Sequence, residues 1–288
     1  MSRLVGRNKE LNLIETMIRS GRHVLLEGPV GVGKTTLALA VAEKLGRGLV
    51  RVDGDGRYTE QKLVGSFDPK LVLEQGFTKD SFIPGPLYQA MKEGKVLLLN
   101  ELNRMPEMVQ NVLLPALDEK KISIPALGEH SAKDGFAVVA TQNPREFVGT
   151  SLLSEALMDR MEWVEVGSLS RDEEVKIVLE SFTNSTPPAE LMSWSGLNLV
   201  TTCVELVRMT RSHPKVKRGA SIRAAISLSH VLSKDIKSAK NEDLFFEIAK
   251  SVLANRVELH TGKFSNRPYS ELLDELLDEL KIQLKKKP

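Results

Sequence analysis

Residues 28–35 have the residue types and the spacing of a phosphate-binding loop. They read Gly28-Pro29-Val30-Gly31-Val32-Gly33-Lys34-Thr35, and Thr36 follows. The glycines let backbone N–H groups surround phosphate oxygens, and a helix that begins after them points its positive end at the same oxygens. The Lys34 amine can reach the outer phosphates, and the Thr35 hydroxyl can bind Mg²⁺. We therefore predict that residues 28–36 bind a nucleotide, against the alternative of a chance glycine-rich turn.

A second candidate lies downstream, where the apolar run over residues 96–99 ends in Asn100 and Glu101. A buried strand with acidic residues at its end, placed after a phosphate loop, suits the second motif of a nucleotide site. That motif usually ends in Asp-Glu, in which the first acid holds the Mg²⁺ shell and the second activates water. Here Glu101 is the predicted base, and Asn100 can reach a metal-bound water only as a neutral amide. The alternative is a strand end with an unrelated glutamate.

A third apolar run ends in Thr141, Gln142 and Asn143. A polar side chain at the tip of a strand beside the loop can orient the attacking water or contact the outer phosphate. We predict Asn143 for this role, with Gln142 as the second candidate. Taken alone, an asparagine before Pro144 is a common turn signal.

These candidates need a scaffold that holds several strand ends together. Helical patterns alternate with apolar runs in residues 1–168, which predicts an α/β domain with a parallel sheet. Residues 54–86 lack a clean period and are expected to be irregular, and Pro115 predicts a break in the helix over residues 108–117. Residues 169–288 carry mainly helical patterns and predict a smaller, all-helical second domain. Ser170 with Glu173 predicts a capping box at its first helix.

Composition excludes several classes of protein. The chain has 288 residues, a formal charge of +2 and 41% hydrophobic residues, which argues against a disordered or strongly basic chain. Cys203 is the one cysteine, so an internal disulfide cannot form. The sequence contains neither an apolar run near the ~20 residues of a membrane span nor the apolar core of a signal peptide. The expected location is therefore the cytoplasm.

Taken together, these motifs resemble the AAA+ ATPases and, within them, the MoxR group. The resemblance covers nearly the whole chain. It is carried by Leu4-Val5-Gly6-Arg7, residues 23–36, Phe82-Ile83-Pro84-Gly85-Pro86-Leu87, Asn100-Glu101-Leu102-Asn103-Arg104, residues 140–144 and residues 155–161. The phosphate loop is shared by many NTPases, whereas Pro-Gly-Pro-Leu and Asn-Glu-Leu-Asn-Arg discriminate better. The implied architecture is a P-loop AAA+ parallel-sheet domain followed by a helical lid.

The resemblance also implies roles that the residue types alone do not. Arg160 matches the arginine finger that reaches a neighbouring subunit's ATP, and Arg223 matches the second sensor arginine of the lid. Val5 and Gly6 would lie near the adenine base. ATP and Mg²⁺ are the implied cofactors, and a ring, expected to be a homo-hexamer, is the implied assembly. Residues 54–86 and 120–128 resemble the insert and hairpin that contact substrates in this family.

One departure from the family pattern bears on activity. MoxR proteins usually have aspartate where this chain has Asn100, so ATP binding is expected to survive while hydrolysis is expected to be slow. The family remodels or matures partner proteins, often with von Willebrand factor A domain proteins, and here such a partner would be a separate polypeptide. Two alternatives remain open. One is a nucleotide-gated scaffold that hydrolyses ATP weakly or not at all, and the other is a nucleic-acid-directed ATPase.

The nucleic-acid alternative is motivated by a locally basic stretch of the second domain. Its cations are Arg208, Arg211, Lys215, Lys217, Arg218 and Arg223. Aromatic residues do not interleave with them as they do in many single-strand grooves, so a nucleic-acid partner is the less favoured interpretation.

Overall fold

The computed structural model of the protein describes residues 4–144, 153–182, 193–260 and 268–285. The chain divides into two compact units at Ser168 and Leu169. The strands of the first unit are β1 (His23–Glu27), β2 (Leu49–Asp53), β3 (Gly65–Phe67), β4 (Phe82–Pro84), β5 (Val96–Asn100), β6 (Lys121–Ile124), β7 (Gly128–Ser131), β8 (Ala137–Gln142) and β9 (Met161–Glu165). Its helices are α1 (Asn8–Arg19), α2 (Lys34–Lys44), α3 (Glu60–Val64), α4 (Pro69–Gln75), α5 (Pro86–Glu93), α6 (Glu107–Asn111), α7 (Leu113–Asp118) and α8 (Glu155–Met158).

A five-stranded sheet in the order β2-β5-β8-β1-β9 organises the first unit. All its neighbouring strands run parallel. Strand β5 explains why the apolar runs are continuous rather than alternating. Leu97 and Leu99 join the core on one face of the sheet, while Val96 and Leu98 join the core on the other. The predicted α/β fold with a parallel sheet is confirmed.

The helical segment around Pro115 is interrupted as expected. Helix α6 ends at Asn111 and α7 begins at Leu113, four and two residues before the proline. The proline ring crowds the carbonyl of Asn111, four residues earlier, and Pro115 has no N–H to donate to it. The interruption therefore lies on the amino-terminal side of the proline.

The expectation that residues 54–86 are irregular is wrong. They contain α3, α4 and an antiparallel pair of strands, β3 and β4. The helices are short and rely on their caps: the Thr59 side chain accepts from Lys62, and the Asp68 side chain accepts from two amides of α4. Helices of five and seven residues are too short to establish a sequence period. The hairpin expected over residues 120–128 forms as β6 and β7.

The second unit is mainly helical. Its elements are α9 (Arg171–Glu180), α10 (Leu199–Ser212), β10 (Val216–Arg218), α11 (Ile222–Lys234), α12 (Ile236–Lys240), α13 (Glu242–Leu253), β11 (Glu258–Leu259) and α14 (Tyr269–Lys285). The all-helical expectation needs one correction, because β10 and β11 form a short antiparallel pair. The capping box of Ser170 and Glu173 is confirmed. Within the described ranges, no helix is both long and apolar enough to cross a membrane.

Candidate nucleotide site

The predicted phosphate loop connects the end of β1 to the start of α2. Gly31 and Gly33 have φ values of +84° and +95°, a left-handed backbone that favours glycine. Gly28 is required for a different reason. A Cβ atom there would lie 2.1 Å from the carbonyl oxygen of Val166. Gly33 caps α2 without a side-chain acceptor, which leaves the first amides of the helix directed into the loop.

Lys34 is the buried cation of this loop. Its side chain lies in the first turn of α2, and the residue is 8% exposed. The amine donates to the carbonyls of Gly28 and Pro29 at 2.6 and 2.9 Å, and to Oδ1 of Asn143 at 3.0 Å. A buried ammonium held by oxygen acceptors on the loop side is suited to bind phosphate oxygens.

Thr35 and Asn100 meet at the end of strand β5. The Thr35 hydroxyl donates to Oδ1 of Asn100 at 2.8 Å, and the Thr141 hydroxyl donates to the same atom at 3.0 Å. The Thr141 oxygen also accepts the backbone N–H of Glu101 at 2.9 Å. The two predicted magnesium-binding side chains are therefore in direct contact, and Thr141 joins them from the neighbouring strand.

Asp53 extends this chain of hydrogen bonds to β2. The amide Nδ2 of Asn100 donates to Oδ1 of Asp53 at 2.8 Å, and the two residues are register partners in adjacent strands. Arg51 binds both oxygens of the carboxylate, at distances of 2.7–3.1 Å. This pairing lowers the pKa of Asp53, and the Asn100 amide lowers it further, so the carboxylate is ionised at neutral pH.

Glu101 occupies a left-handed backbone position, with φ +56° and ψ +49°. It follows β5 directly and precedes a single 3-10 turn, Leu102–Arg104. Its carboxylate accepts from Nη1 of Arg104 at 2.7 Å. An unusual backbone conformation at a candidate base is a local strain that the surrounding structure must stabilise.

The two predicted water-positioning residues, at the end of β8, have different hydrogen-bond partners. Asn143 is buried, and its Oδ1 accepts from Lys34. Gln142 lies in the next position back along the strand, and its Nε2 donates to the Glu27 carboxylate at 2.5 Å. Trp163 donates to that same carboxylate. Of the two candidates, Asn143 is the one in contact with the loop lysine.

Arg160 lies at the amino-terminal ends of the sheet strands, whereas the phosphate loop lies at their carboxyl ends. It precedes β9, whose first residue, Met161, is the register partner of His23 at the start of β1. The phosphate loop follows Glu27 at the other end of β1, four strand positions or about 13 Å away. The guanidinium is held by Asp118 at 2.7–2.8 Å and by the Ala156 carbonyl at 2.7 Å. Arg160 therefore lies far from the phosphate loop of the same chain.

The remaining predicted site residues fall in two places. Val5 is buried and Gly6 has φ +70°, just before α1 in the first unit. Arg223 lies in the first turn of α11 in the second unit, and its side chain is exposed. Their roles toward nucleotide stay predictions from the family resemblance.

Sequence reasoning missed two arginines that hold the site. Arg7 is buried, donates to the carbonyl of Val32 within the loop at 3.1 Å, and also donates to the carbonyl of Gly167. Arg104 holds the candidate base, as described above. Both residues stand inside the stretches that carry the family resemblance, but an arginine type alone does not reveal which carbonyl or carboxylate it will meet.

The donor set suits Mg²⁺, because all the side-chain atoms are oxygens of the kind this ion prefers. They are the Thr35 hydroxyl and Oδ1 of Asn100, with the Asp53 carboxylate next to them. In the ranges that the structure describes, no cluster of three or more histidine, cysteine, aspartate or glutamate side chains could hold a metal. Phosphate oxygens and water would therefore have to complete the ligand set.

Comparisons with known proteins agree with this geometry. A family model described as AAA domain, dynein-related subfamily, matches residues 23–161. The gas vesicle ATPase GvpN of Haloferax mediterranei is 28% identical over 94% of this chain and 77% of its own length. A solved candidate ATPase from Cytophaga hutchinsonii is 23% identical, covers 96% of this chain and 90% of its own, and has a TM-score of 0.51. NtrX from Brucella abortus, in complex with ADP, is 19% identical with a TM-score of 0.58, and the match covers 99% of this chain and 65% of NtrX.

The two solved structures show the fold alone, because their sequences are below 25% identical. The family model and the curated relative add the class of domain: residues 23–161 form an AAA ATPase domain. The curated relative named gas vesicle ATPase supports the predicted resemblance to the MoxR group.

Proposed function

We propose that this chain binds ATP with Mg²⁺ between subunits of a homo-hexameric ring and uses hydrolysis to remodel or mature partner proteins. The proposal is supported above all by one observation. Lys34, Thr35, Asn100 and Asn143 are joined by hydrogen bonds at the carboxyl ends of three adjacent strands, and Glu101 extends from the same edge. Ligands of open parallel sheets bind outside this edge.

Each residue then has a chemical role. Lys34 and the loop amides bind the outer phosphates, while Thr35 and Asn100 would hold Mg²⁺. Mg²⁺ supplies charge neutralisation at those phosphates when it is bound. Glu101 accepts the proton of the attacking water, which requires that its pairing with Arg104 give way. Asn143 orients that water.

Arg160 supports the assembly part of the proposal. Its distance from the loop of its own subunit means that it can serve a phosphate only across an interface. In a ring, the surface that carries Arg160 in one subunit would contact the surface that carries the phosphate loop in the next. An arginine finger of this kind raises the rate of hydrolysis by about 10³–10⁵. Arg223 would reach nucleotide from the lid, as the resemblance implies.

The apolar surface of the insert, residues 54–86, supports the proposal that the client is a protein. Leu73, Phe77 and Ile83 are 89%, 60% and 52% exposed. Phe77 lies edge-on against Phe67 at 5.0 Å between ring centroids, which holds an apolar ring at the surface. Exposed apolar groups within one short segment, residues 73–83, favour contact with another protein. A separate von Willebrand factor A domain protein is a second proposed partner.

Steady-state ATP hydrolysis over a range of protein concentrations tests the proposal. Turnover per subunit should rise with concentration, and Glu101→Gln should lower it by about 10²–10⁴, the usual contribution of a general base. Glu107→Gln is the matched control, because Glu107 is an exposed carboxylate six residues away. Undiminished turnover in Glu101→Gln would contradict the proposal.

A second candidate is a nucleotide-gated scaffold that hydrolyses ATP only slowly. It is favoured by Asn100, which brings a neutral amide to the place where the family usually has a carboxylate. Tight ATP binding with little turnover at any protein concentration would select this candidate.

The nucleic-acid alternative loses support for an electrostatic reason. Five of the cations that motivated it face carboxylates within the second unit. Arg208 and Arg211 pair with Glu174, Lys215 with Glu275 and Glu279, and Lys217 and Arg218 with Glu258. Cations that already have carboxylate partners contribute less to binding a phosphate backbone.

A further inference from the structure

The orientation of the Asn100 amide is determined by its neighbours. The Thr141 oxygen accepts from the N–H of Glu101, so its own proton is directed to Oδ1 of Asn100. The Asp53 carboxylate can only accept, so it requires Nδ2 of Asn100 on its side. These two requirements agree. They direct Oδ1 toward the Thr35 hydroxyl and Nδ2 toward β2.

Asp53 and Asn100 also depend on each other's residue type. An aspartate at position 100 would place a second carboxylate oxygen about 2.8 Å from Oδ1 of Asp53. Two carboxylates that close repel each other and share no proton donor, so the hydrogen bond between the two side chains would be lost. Conversely, an asparagine at position 53 could donate as well as accept, so it would no longer require Nδ2 of Asn100 on its side. The two residues are thus complementary because one is a carboxylate and the other an amide.

We propose that Asp53 is a positioning residue of the magnesium site, and that it acts as a pair with Asn100. Its carboxylate fixes the Asn100 amide so that an oxygen, rather than an N–H group, faces Thr35 and the metal. The end of β5 thus carries an amide in this chain, and the neighbouring carboxylate is at the end of β2. This inference rests on the proposed function, because it assigns residues to the same Mg²⁺-nucleotide site.

The local fold keeps Asp53 in this position. The two residues are aligned by the register of β2 and β5, and the backbone N–H of Gly54 donates to the Asn100 carbonyl at 2.7 Å. A Cβ atom on Gly54 would lie 2.2 Å from the Glu101 carbonyl oxygen, so a close approach of the two strand ends requires glycine there. Arg51 binds both carboxylate oxygens of Asp53 and limits its rotation.

The test measures Mg²⁺ binding rather than turnover. The affinity of a fluorescent ADP analogue is measured with Mg²⁺ and with chelator, and the ratio reports the contribution of the metal. Mn²⁺ binding to the same complex, followed by electron paramagnetic resonance, is the second readout. In Asp53→Asn the metal-dependent gain should fall by about 10–100-fold, as for residues that orient metal ligands. Binding with chelator should not change.

Asp55→Asn is the matched control. Asp55 is an aspartate two residues away that pairs with Arg57 as Asp53 pairs with Arg51. It should keep the full metal-dependent gain. If Asp53→Asn matches this control, the inference is overturned. If wild-type protein binds no nucleotide with or without Mg²⁺, the proposed function fails instead.

A charge swap decides the pairing even where a single variant folds poorly. Asn100→Asp alone should lose metal-dependent gain, because it faces the Asp53 carboxylate. The double variant Asp53→Asn/Asn100→Asp restores one carboxylate and one amide in exchanged places, and should recover most of the gain. Additive losses in the double variant would overturn the inference, because residues that do not interact show additive effects.

Discussion

The hydroxyl of Thr35 lies 2.8 Å from Oδ1 of Asn100, which joins the first turn of α2 to the end of strand β5. The contact brings the loop that would bind phosphate to the strand that carries the candidate base. It is formed by an amide oxygen and needs no carboxylate at position 100. The nucleotide-binding geometry can therefore persist even though the chain departs from the usual family residue.

Lys34→Ala should weaken nucleotide binding by about 10–100-fold. The substitution removes a buried ammonium, and hydrogen bonds to charged groups contribute about 1.5–3 kcal/mol each. Titration with a fluorescent ADP analogue measures the effect. Lys44→Ala is the control on the same helix, because Lys44 pairs on the surface with Glu15. Equal affinities for the two variants would argue against the loop as the binding site.

His23 should make the stability of the first unit depend on acid. Nδ1 accepts the N–H of Val138 and Nε2 faces the Leu117 carbonyl, so the buried ring is neutral. Burial lowers its pKa to about 4 from 6.5. Because the folded-state pKa is lowered, the unfolded chain binds the proton first as the pH falls. Stability is therefore full above about pH 6.5 and declines by about 3 kcal/mol near pH 4.

Urea unfolding of wild type and His23→Gln between pH 7 and pH 4 tests this prediction. The variant should be less stable at pH 7 but should lack the part of the acid slope that His23 contributes. An identical slope in both proteins would show that other groups cause the acid dependence.

Cys203 should be unreactive while the second unit is folded. The thiol is fully buried, and burial raises its pKa to about 12, so almost no thiolate exists near neutral pH. Labelling with a thiol reagent should be slow in native protein and fast in denaturant. Since Cys203 is the one cysteine of the chain, its labelling rate reports directly on opening of the helical unit. Rapid labelling without denaturant would contradict the packing around α10.

Local sequence patterns predicted much of the first unit. The continuous apolar runs identified the buried strands, and glycine spacing identified the loop. Sequence did not predict that Asp53 lies beside Asn100, because their contact depends on which strand pairs with β5. The same holds for Arg160. Its position at the strand ends opposite the loop follows from the register of β9 with β1. Contacts set by strand order are non-local, and a sequence period carries no information about them.

The insert over residues 54–86 was expected, but its helices were missed for another reason. Its helices α3 and α4 are stabilised by the capping side chains of Thr59 and Asp68. Capping acts on single turns, so it leaves no period that a longer window could detect. The signal that the sequence does carry is the capping residue at each start, Thr59 before α3 and Asp68 before α4.

Complementation between two inactive variants tests most directly whether ATP is hydrolysed between subunits. Glu101→Gln keeps a finger but lacks the base, and Arg160→Ala keeps the base but lacks the finger. If the finger acts in trans, mixing the two proteins creates interfaces with both groups, and ATP turnover should reappear. The double variant Glu101→Gln/Arg160→Ala, mixed with either single variant, is the control. Arg22→Ala, which removes an exposed arginine paired with Glu162 at the same sheet edge, should keep wild-type turnover. A mixture that assembles but stays as inactive as its components would contradict the proposal that Arg160 acts on ATP bound to a neighbouring subunit.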